Sequence, residues 1–245
     1  MSPKLPVVLL TATVHPKAGQ EGLVVNDPGD RLRQYLWAFE FYLQLPVRVV
    51  LAENSGADLT SFREMARRAG RQHDVELLAL TTEWQPEMGR GFAETLLVGS
   101  AMEQAASLGL PGDMAWKVTG RYRFKNLIKI IEDAPVADLY MNLRRFPSPW
   151  ADMWVYGITK RGWALLEPHL SELRSDVRPG PAEFAMYDVV SALSDHDRSV
   201  VPRLKREPRI SGVRGFDGRQ YGDLRQTGKY LLRATMKRVL PSVWI

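Results

Sequence analysis

"PVVLLTATV" (residues 6–14) is a continuous aliphatic and β-branched run that stops abruptly at polar residues. An alternating pattern would leave one face wet; an unbroken run predicts a strand covered on both faces. "PVRVVLAENSG" (46–56) repeats the pattern. Between them, "DRLRQYLWAFEFYLQ" (30–44) places Leu32, Leu36, Phe39 and Leu43 on one helical face, with Asp30 as N-cap. Strand, helix and strand in this order predict a parallel pair joined by a right-handed crossover.

Working outward, further strands are expected at 75–81 and 114–120, and helices at 59–69, stopping at Gly70, and 91–108, ending at Gly109. The alternation then weakens. A helix is expected at 124–133, strands at 138–146 and 152–160 in antiparallel arrangement, and a helix at 161–173 that Pro168 breaks. Residues 181–194 predict another helix, with Pro181 in its first turn. The expected fold class is α/β: a Rossmann-like single domain with a mixed, mainly parallel central sheet flanked by helices. Residues 1–225 form that domain, with a nucleotide-binding-like half at 1–123 and a more irregular acceptor-side half at 124–225. Residues 226–245 are expected to form a basic amphipathic C-terminal helix.

Composition narrows the chemistry. The 245 residues are 45% apolar and 25% charged, ordinary for a globular protein, and include no cysteine. Disulfides, thiolate metal sites and a cysteine nucleophile are therefore excluded. His15, His73, His169 and His196 contain no i, i+4 pair, which argues against a histidine-built metal site. The start, "MSPKLPVVLLTATVHP", has too short an apolar run for a membrane span and no signal-cleavage pattern, so a cytoplasmic location is expected.

The net charge of +5 is unevenly distributed. From Arg198 onward there are twelve Lys/Arg against three Asp/Glu, whereas the first 197 residues carry 21 against 25. Such asymmetry points to an anionic partner: nucleic acid, a phosphate-bearing substrate or a membrane surface.

Ligands of open α/β sheets bind beyond the carboxyl ends of the parallel strands. Here those ends are Thr11-Ala12-Thr13, Glu53-Asn54-Ser55-Gly56, Thr81-Thr82-Glu83 and Thr119-Gly120-Arg121. Each suits a turn; together they would line one crevice. Glu53 or Asn54 is suited to a base or ribose. In "EMGRGFAE" (87–94), Arg90 stands between two glycines at a helix start, a phosphate-binding geometry. No GxxxxGK[ST] or GxGxxG spacing occurs. Lys117 alone suits a structural lysine with a buried stem, and Arg121 alone a strand-end ion pair. On either side of Thr119-Gly120 they suit a cationic clamp for a diphosphate, a point charge beside a fork.

The ordered set "TATV", "DRLRQYLWAFEFYL", "ENSG", "GRGFAE", "KVTGRYRFKN" and "AEFAMYDVV" resembles bacterial GT-A-like glycosyltransferases of surface polysaccharide (lipopolysaccharide and capsule) biosynthesis. The resemblance runs over roughly residues 6–221, and Lys117-x-Thr119-Gly120-Arg121-Tyr122 is its most specific piece. It implies a GT-A-like fold, a nucleotide-sugar donor, and a glycan or lipid-linked acceptor. It also implies that Thr11, Ala12, Thr13, Glu53, Asn54 and Gly56 lie at the nucleotide. Arg90, Lys117, Thr119, Gly120, Arg121 and Tyr122 would lie at the diphosphate or donor sugar. The DxD motif of the fold is missing where Thr119-Gly120-Arg121 stands, and Asp133, Asp138 and Asp152 do not restore its spacing. No cofactor is therefore expected; a divalent metal lacks its motif, and Lys117, Arg121 and Arg90 would take its place at the leaving phosphate.

Glu183, just inside the helix begun by Pro181, is the first candidate for a catalytic base, and Asp152, before a strand, the second. Each has a plain alternative: a first-turn acid on a helix dipole for Glu183, a turn residue for Asp152. The stretch 201–223 suits either a loop closing over the donor or a solvated basic connector. The segment 226–245 suits either an anionic membrane surface, which would put the chain peripherally on the inner face of the plasma membrane, or docking on the core. Against the glycosyltransferase stand two alternatives, a basic nucleic-acid-binding protein and a non-catalytic scaffold of the same fold. Nucleic acid is not expected, because no nucleic-acid motif is visible and the basic residues gather at one end.

Overall fold

The computed structural model describes residues 5–19, 23–108, 113–214, 217–221 and 224–239. Expectations at Gly109 and at residues 240–245 lie outside the described residues.

Strand β1 (Val7–Ala12) is buried at every position, as a two-face-covered run requires. Helix α1 (Pro28–Leu43) starts earlier than expected. Asp27, not Asp30, is its N-cap, accepting from Asp30 N at 2.8 Å, with Pro28 in the first turn. Strand β2 (Arg48–Glu53), helix α2 (Thr60–Arg68) and strand β3 (Val75–Ala79) follow. Helix α3 (Arg90–Gln104) ends at Ala105, and a 3₁₀ turn, Ala106–Leu108, covers the rest of the expected helix. Strand β4 (Ala115–Thr119) completes a parallel block in the order β3-β2-β1-β4.

The second half departs from the block. The expected helix at 124–133 begins instead as β5 (Arg123–Phe124), and α4 is only Leu127–Glu132. The reason is local: Phe124 N donates to the buried Tyr42 hydroxyl and Lys125 N to Arg209 O, bonds that a helix could not make. Strands β6 (Leu139–Arg144) and β7 (Trp150–Ile158) are antiparallel to each other, and β7 is antiparallel to β4. Helix α5 (Lys160–Leu166) breaks into a 3₁₀ segment, Glu167–Leu173, at Pro168. Helix α6 (Ala182–His196) and strand β8 (Val200–Val201) complete a seven-stranded sheet, β3-β2-β1-β4-β7-β6-β8.

The 201–223 stretch is not an isolated loop. Its β9 (Ile210–Val213) and β10 (Gln220–Tyr221) pair with each other, and β9 pairs with β5, in a second, three-stranded sheet. Helix α7 (Leu224–Val239) docks on the core through Lys237, which donates to Asn142 Oδ1 at 2.8 Å and pairs with Glu207 at 2.9 Å.

Alternating residues of β1 feed two cores. Val7 and Leu9 face α3, α5 and α6, whereas Val8 and Leu10 face α1, α2 and α4. No helix among the described residues is long and apolar enough to cross a membrane.

Candidate active site

Strand register explains where the polar residues of β4 go. Lys117 stands between Leu9 of β1 and Tyr156 of β7, both on the α3/α6 side, so its ammonium enters that core. An unpaired buried ammonium would cost several kcal/mol. Helix α3 supplies the partner: Glu94 Oε1 is 2.8 Å from Lys117 Nζ. The same oxygen accepts from Thr11 Oγ1 at 2.6 Å and Thr119 Oγ1 at 2.8 Å. Lys117 also donates to Met153 O at 2.5 Å and Thr119 Oγ1 at 3.1 Å.

Lys117 is 1% exposed and its donors are spent, which corrects the expectation that it faces a diphosphate. Thr11 is likewise committed to Glu94. Burial pushes the Glu94 carboxyl up, but Lys117 and the two threonine hydroxyls outweigh it and hold the carboxyl below its ordinary value. Glu94 Oε2 takes none of these bonds, and the side chain keeps 26% exposure.

Two helix starts meet at this point. Gly91 of α3 lies so close to Ala182 of α6 that an added Cβ would collide with the alanine methyl. That contact brings Arg90, exposed at the first position of α3, beside Glu183 in the first turn of α6. Burial pushes the Glu183 carboxyl up and Glu94 adds to it, against the lowering pull of its own backbone N–H, Arg90 and Lys117. A carboxyl raised in this way beside a second, ionised one is suited to accepting a proton.

Gly120 has no room for a side chain: a Cβ would stand 2.7 Å from Thr11 O, to which Gly120 N donates at 2.9 Å. The chain thereby turns tightly and delivers Arg121 beside Tyr35. Arg121 is buried, donates to Gln34 Oε1 at 3.2 Å and Val213 O at 3.3 Å, and leaves its Nε without a partner. Arg31 feels both Arg121 and Arg90, and Arg121 in turn feels Glu94. Arg31 itself is committed to Thr13 O, Val25 O and the Tyr35 hydroxyl.

The remaining expectations divide. Thr13 Oγ1 donates to Asn54 Oδ1 at 2.7 Å and Asn54 Nδ2 to Thr82 Oγ1 at 3.0 Å, so both half-buried residues stay at the strand ends. Gly56 is exposed with φ of 74°. Ala12 is buried in the core. Glu53 is corrected: it is fully buried, and the N–H groups of Val14, Ser55 and Ala57 and the Ser55 hydroxyl bond its carboxylate. It organises the loop and does not face the crevice. Tyr122 is buried edge-on against Tyr221, with centroids 5.3 Å apart.

Asp152 is a third correction. It lies one residue before Met153, hence on the opposite face of the sheet from Lys117 and Glu94. Fully buried, it accepts from Asn142 at 2.7 Å and Arg144 at 2.6 Å. Asp152 therefore does not stand with Glu94 and Glu183 as the second candidate base.

The strand-end donor set does not fit a divalent metal. The nearest carboxylate oxygen already holds an ammonium, and no cluster of three acidic or histidine side chains occurs among the described residues.

The overall fold matches solved structures. No family model and no curated protein matches the chain. Apo GlyE, a glycosyltransferase of Streptococcus pneumoniae TIGR4, superposes with a TM-score of 0.52 at 10% identity, over 82% of this chain and 45% of GlyE. The chain has a GT-A-like fold. An active-site mutant of LgtC gives a TM-score of 0.50 at 10% identity, over 91% of this chain and 94% of LgtC. The GT-A-like chain spans less than half of GlyE but nearly all of LgtC; at these identities the likeness is one of fold.

Glu94 and Arg31 are the site residues that sequence reasoning missed. A signal existed: Arg90 and Glu94 are four apart, so they share one helix face.

Proposed function

We propose that the chain is a glycosyltransferase that moves a sugar from a nucleotide-sugar donor to a glycan or lipid-linked acceptor. The observation that carries this reading is the meeting of Glu94, Glu183 and Arg90 at two adjoining helix starts, beside Arg121. Helix N-termini and guanidinium groups favour a diphosphate, and a raised carboxyl favours proton acceptance. The GT-A-like fold and the sequence resemblance both support a nucleotide sugar as the anion, and the resemblance supports a bacterial surface polysaccharide as the product.

The reaction is a single displacement. An acceptor hydroxyl attacks the anomeric carbon while the bond from that carbon to the phosphate oxygen breaks. Glu183 takes the hydroxyl proton, and the nucleoside diphosphate leaves with its new charge facing Arg90 and Arg121. Preorganised cations at a developing phosphate charge do the electrostatic work that a metal does in other enzymes. Glu94, fixed by Lys117 and two threonines, orients the donor sugar by accepting from its hydroxyls through Oε2.

Release of nucleoside diphosphate from a panel of nucleotide sugars, with acceptor extracts and EDTA present, tests the reading. Turnover that survives EDTA and disappears in Glu183→Gln supports it. Turnover restored only by Mn²⁺ removes the metal-free mechanism, and no turnover with any donor removes the transferase.

A further inference from the structure

Across the sheet from Glu94, a cleft of about 80 Å³ is lined by β7, residues 207–210 and α7. One water needs roughly 10–15 Å³, so several fit. Five of its lining residues are cations: Lys125, Arg144, Arg209, Lys229 and Arg233. Glu207 is the one carboxylate lining it, and Lys237 already holds that group at 2.9 Å.

Beneath the cleft the Arg144 guanidinium is held by Asp152 at 2.6 Å. Arg144 is 8% exposed, and its Nε has no partner among the described residues. Trp154 Nε1 is buried and equally unpartnered. The Arg144 guanidinium lies 5.3 Å from the Trp154 ring centroid, and Tyr221 stands edge-on to Trp154 at 5.6 Å. Arg144 and Trp154 thus form a buried, positively charged floor beneath the exposed cations of the cleft. Cations supply recognition of an anion, and aromatic rings supply a face for a sugar ring.

We propose that this cleft binds an anionic saccharide, a sugar carrying a phosphate or a carboxylate. Lys125, Arg209 and Lys229, exposed on the rim, take the anionic group, and Trp154 and Tyr221 hold the ring. Tyr122, adjacent to Arg121 and 5.3 Å from Tyr221, connects the cleft to the crevice on the other face. Its assignment as the acceptor side rests on the transferase reading; the binding itself does not.

Calorimetric titration of the full chain with glucose-6-phosphate, glucuronate, glucose and inorganic phosphate tests the proposal. Either charged sugar should bind about ten-fold or more tightly than glucose, and more tightly than phosphate alone. Lys125→Glu with Lys229→Glu, both exposed and free of the buried network, should weaken it by a similar factor at unchanged melting temperature. Binding should persist in the presence of a nucleoside diphosphate. No binding by either charged sugar, equal binding of glucose or of phosphate alone, or full binding in the double variant overturns the proposal. If nucleotides fail to bind while charged sugars still do, the transferase reading falls and the cleft stands.

Discussion

Lys117 Nζ stands 2.8 Å from Glu94 Oε1, inside a core where the lysine is 1% exposed. The pair ties β4 to α3 and fixes a carboxylate oxygen that three hydrogen-bonding side chains share. Breaking such a pair on one side leaves a buried charge without its partner. Lys117→Met is expected to destabilise the fold by about 3–5 kcal/mol, measured by urea unfolding. The double variant Lys117→Met with Glu94→Leu should recover most of that loss; no recovery would mean that the pair contributes nothing specific.

The Glu94 carboxyl is held below its ordinary value. Its contribution to stability is therefore present above the ordinary carboxylate range and lost as pH falls through the depressed value. Glu94→Gln should flatten the acid limb of a stability–pH profile. An unchanged limb would contradict the depressed titration.

Gly91 and Ala182 leave room for one methyl between the two helix starts. Gly91→Ala should cost about 1–3 kcal/mol and reduce turnover by separating Arg90 from Glu183. Ala182→Gly in the same chain should restore both, read by melting temperature and product release. Failure of the rescue would show that the close approach does not position the site.

Glu183 has its carboxyl pushed up by burial and by Glu94. As a base it acts only when ionised, so activity should fall on the acid side at a pH above the ordinary carboxylate value. Glu183→Gln should lower kcat by about 10²–10⁴-fold and remove that limb. Asp152→Asn should instead lower stability, because its partners Arg144 and Asn142 are buried with it. A chemical-step effect from Asp152 alone would move the base across the sheet.

Much of this arrangement was legible in residues 6–56, where uninterrupted β-branched runs have one stable solution, a parallel core covered on both faces. The sites of Thr119, Gly120 and Arg121 were legible as strand-end positions, but the direction of Lys117 was not. Whether a strand side chain enters the crevice or the core depends on its parity against Leu9 and Tyr156, a fact of register. The same parity separates Asp152 from Glu183. Glu53 misled for a related reason: a polar strand end reads alike whether it bonds a ligand or the N–H groups of its own loop. The expected helix at 124–133 starts late, at Leu127, because Phe124 and Lys125 find long-range partners in Tyr42 and Arg209, which no local pattern records.

The most direct test of the metal-free donor crevice is thermal-shift measurement with UDP-, GDP-, CMP- and dTDP-sugars in EDTA, on the wild type and on Arg90→Ala. Arg90 is exposed, so its removal should leave the fold intact. One nucleotide class should raise the melting temperature by mass action without metal, and Arg90→Ala should weaken that binding about ten-fold or more. A shift that appears only with Mn²⁺, or no shift with any nucleotide sugar, would contradict the account.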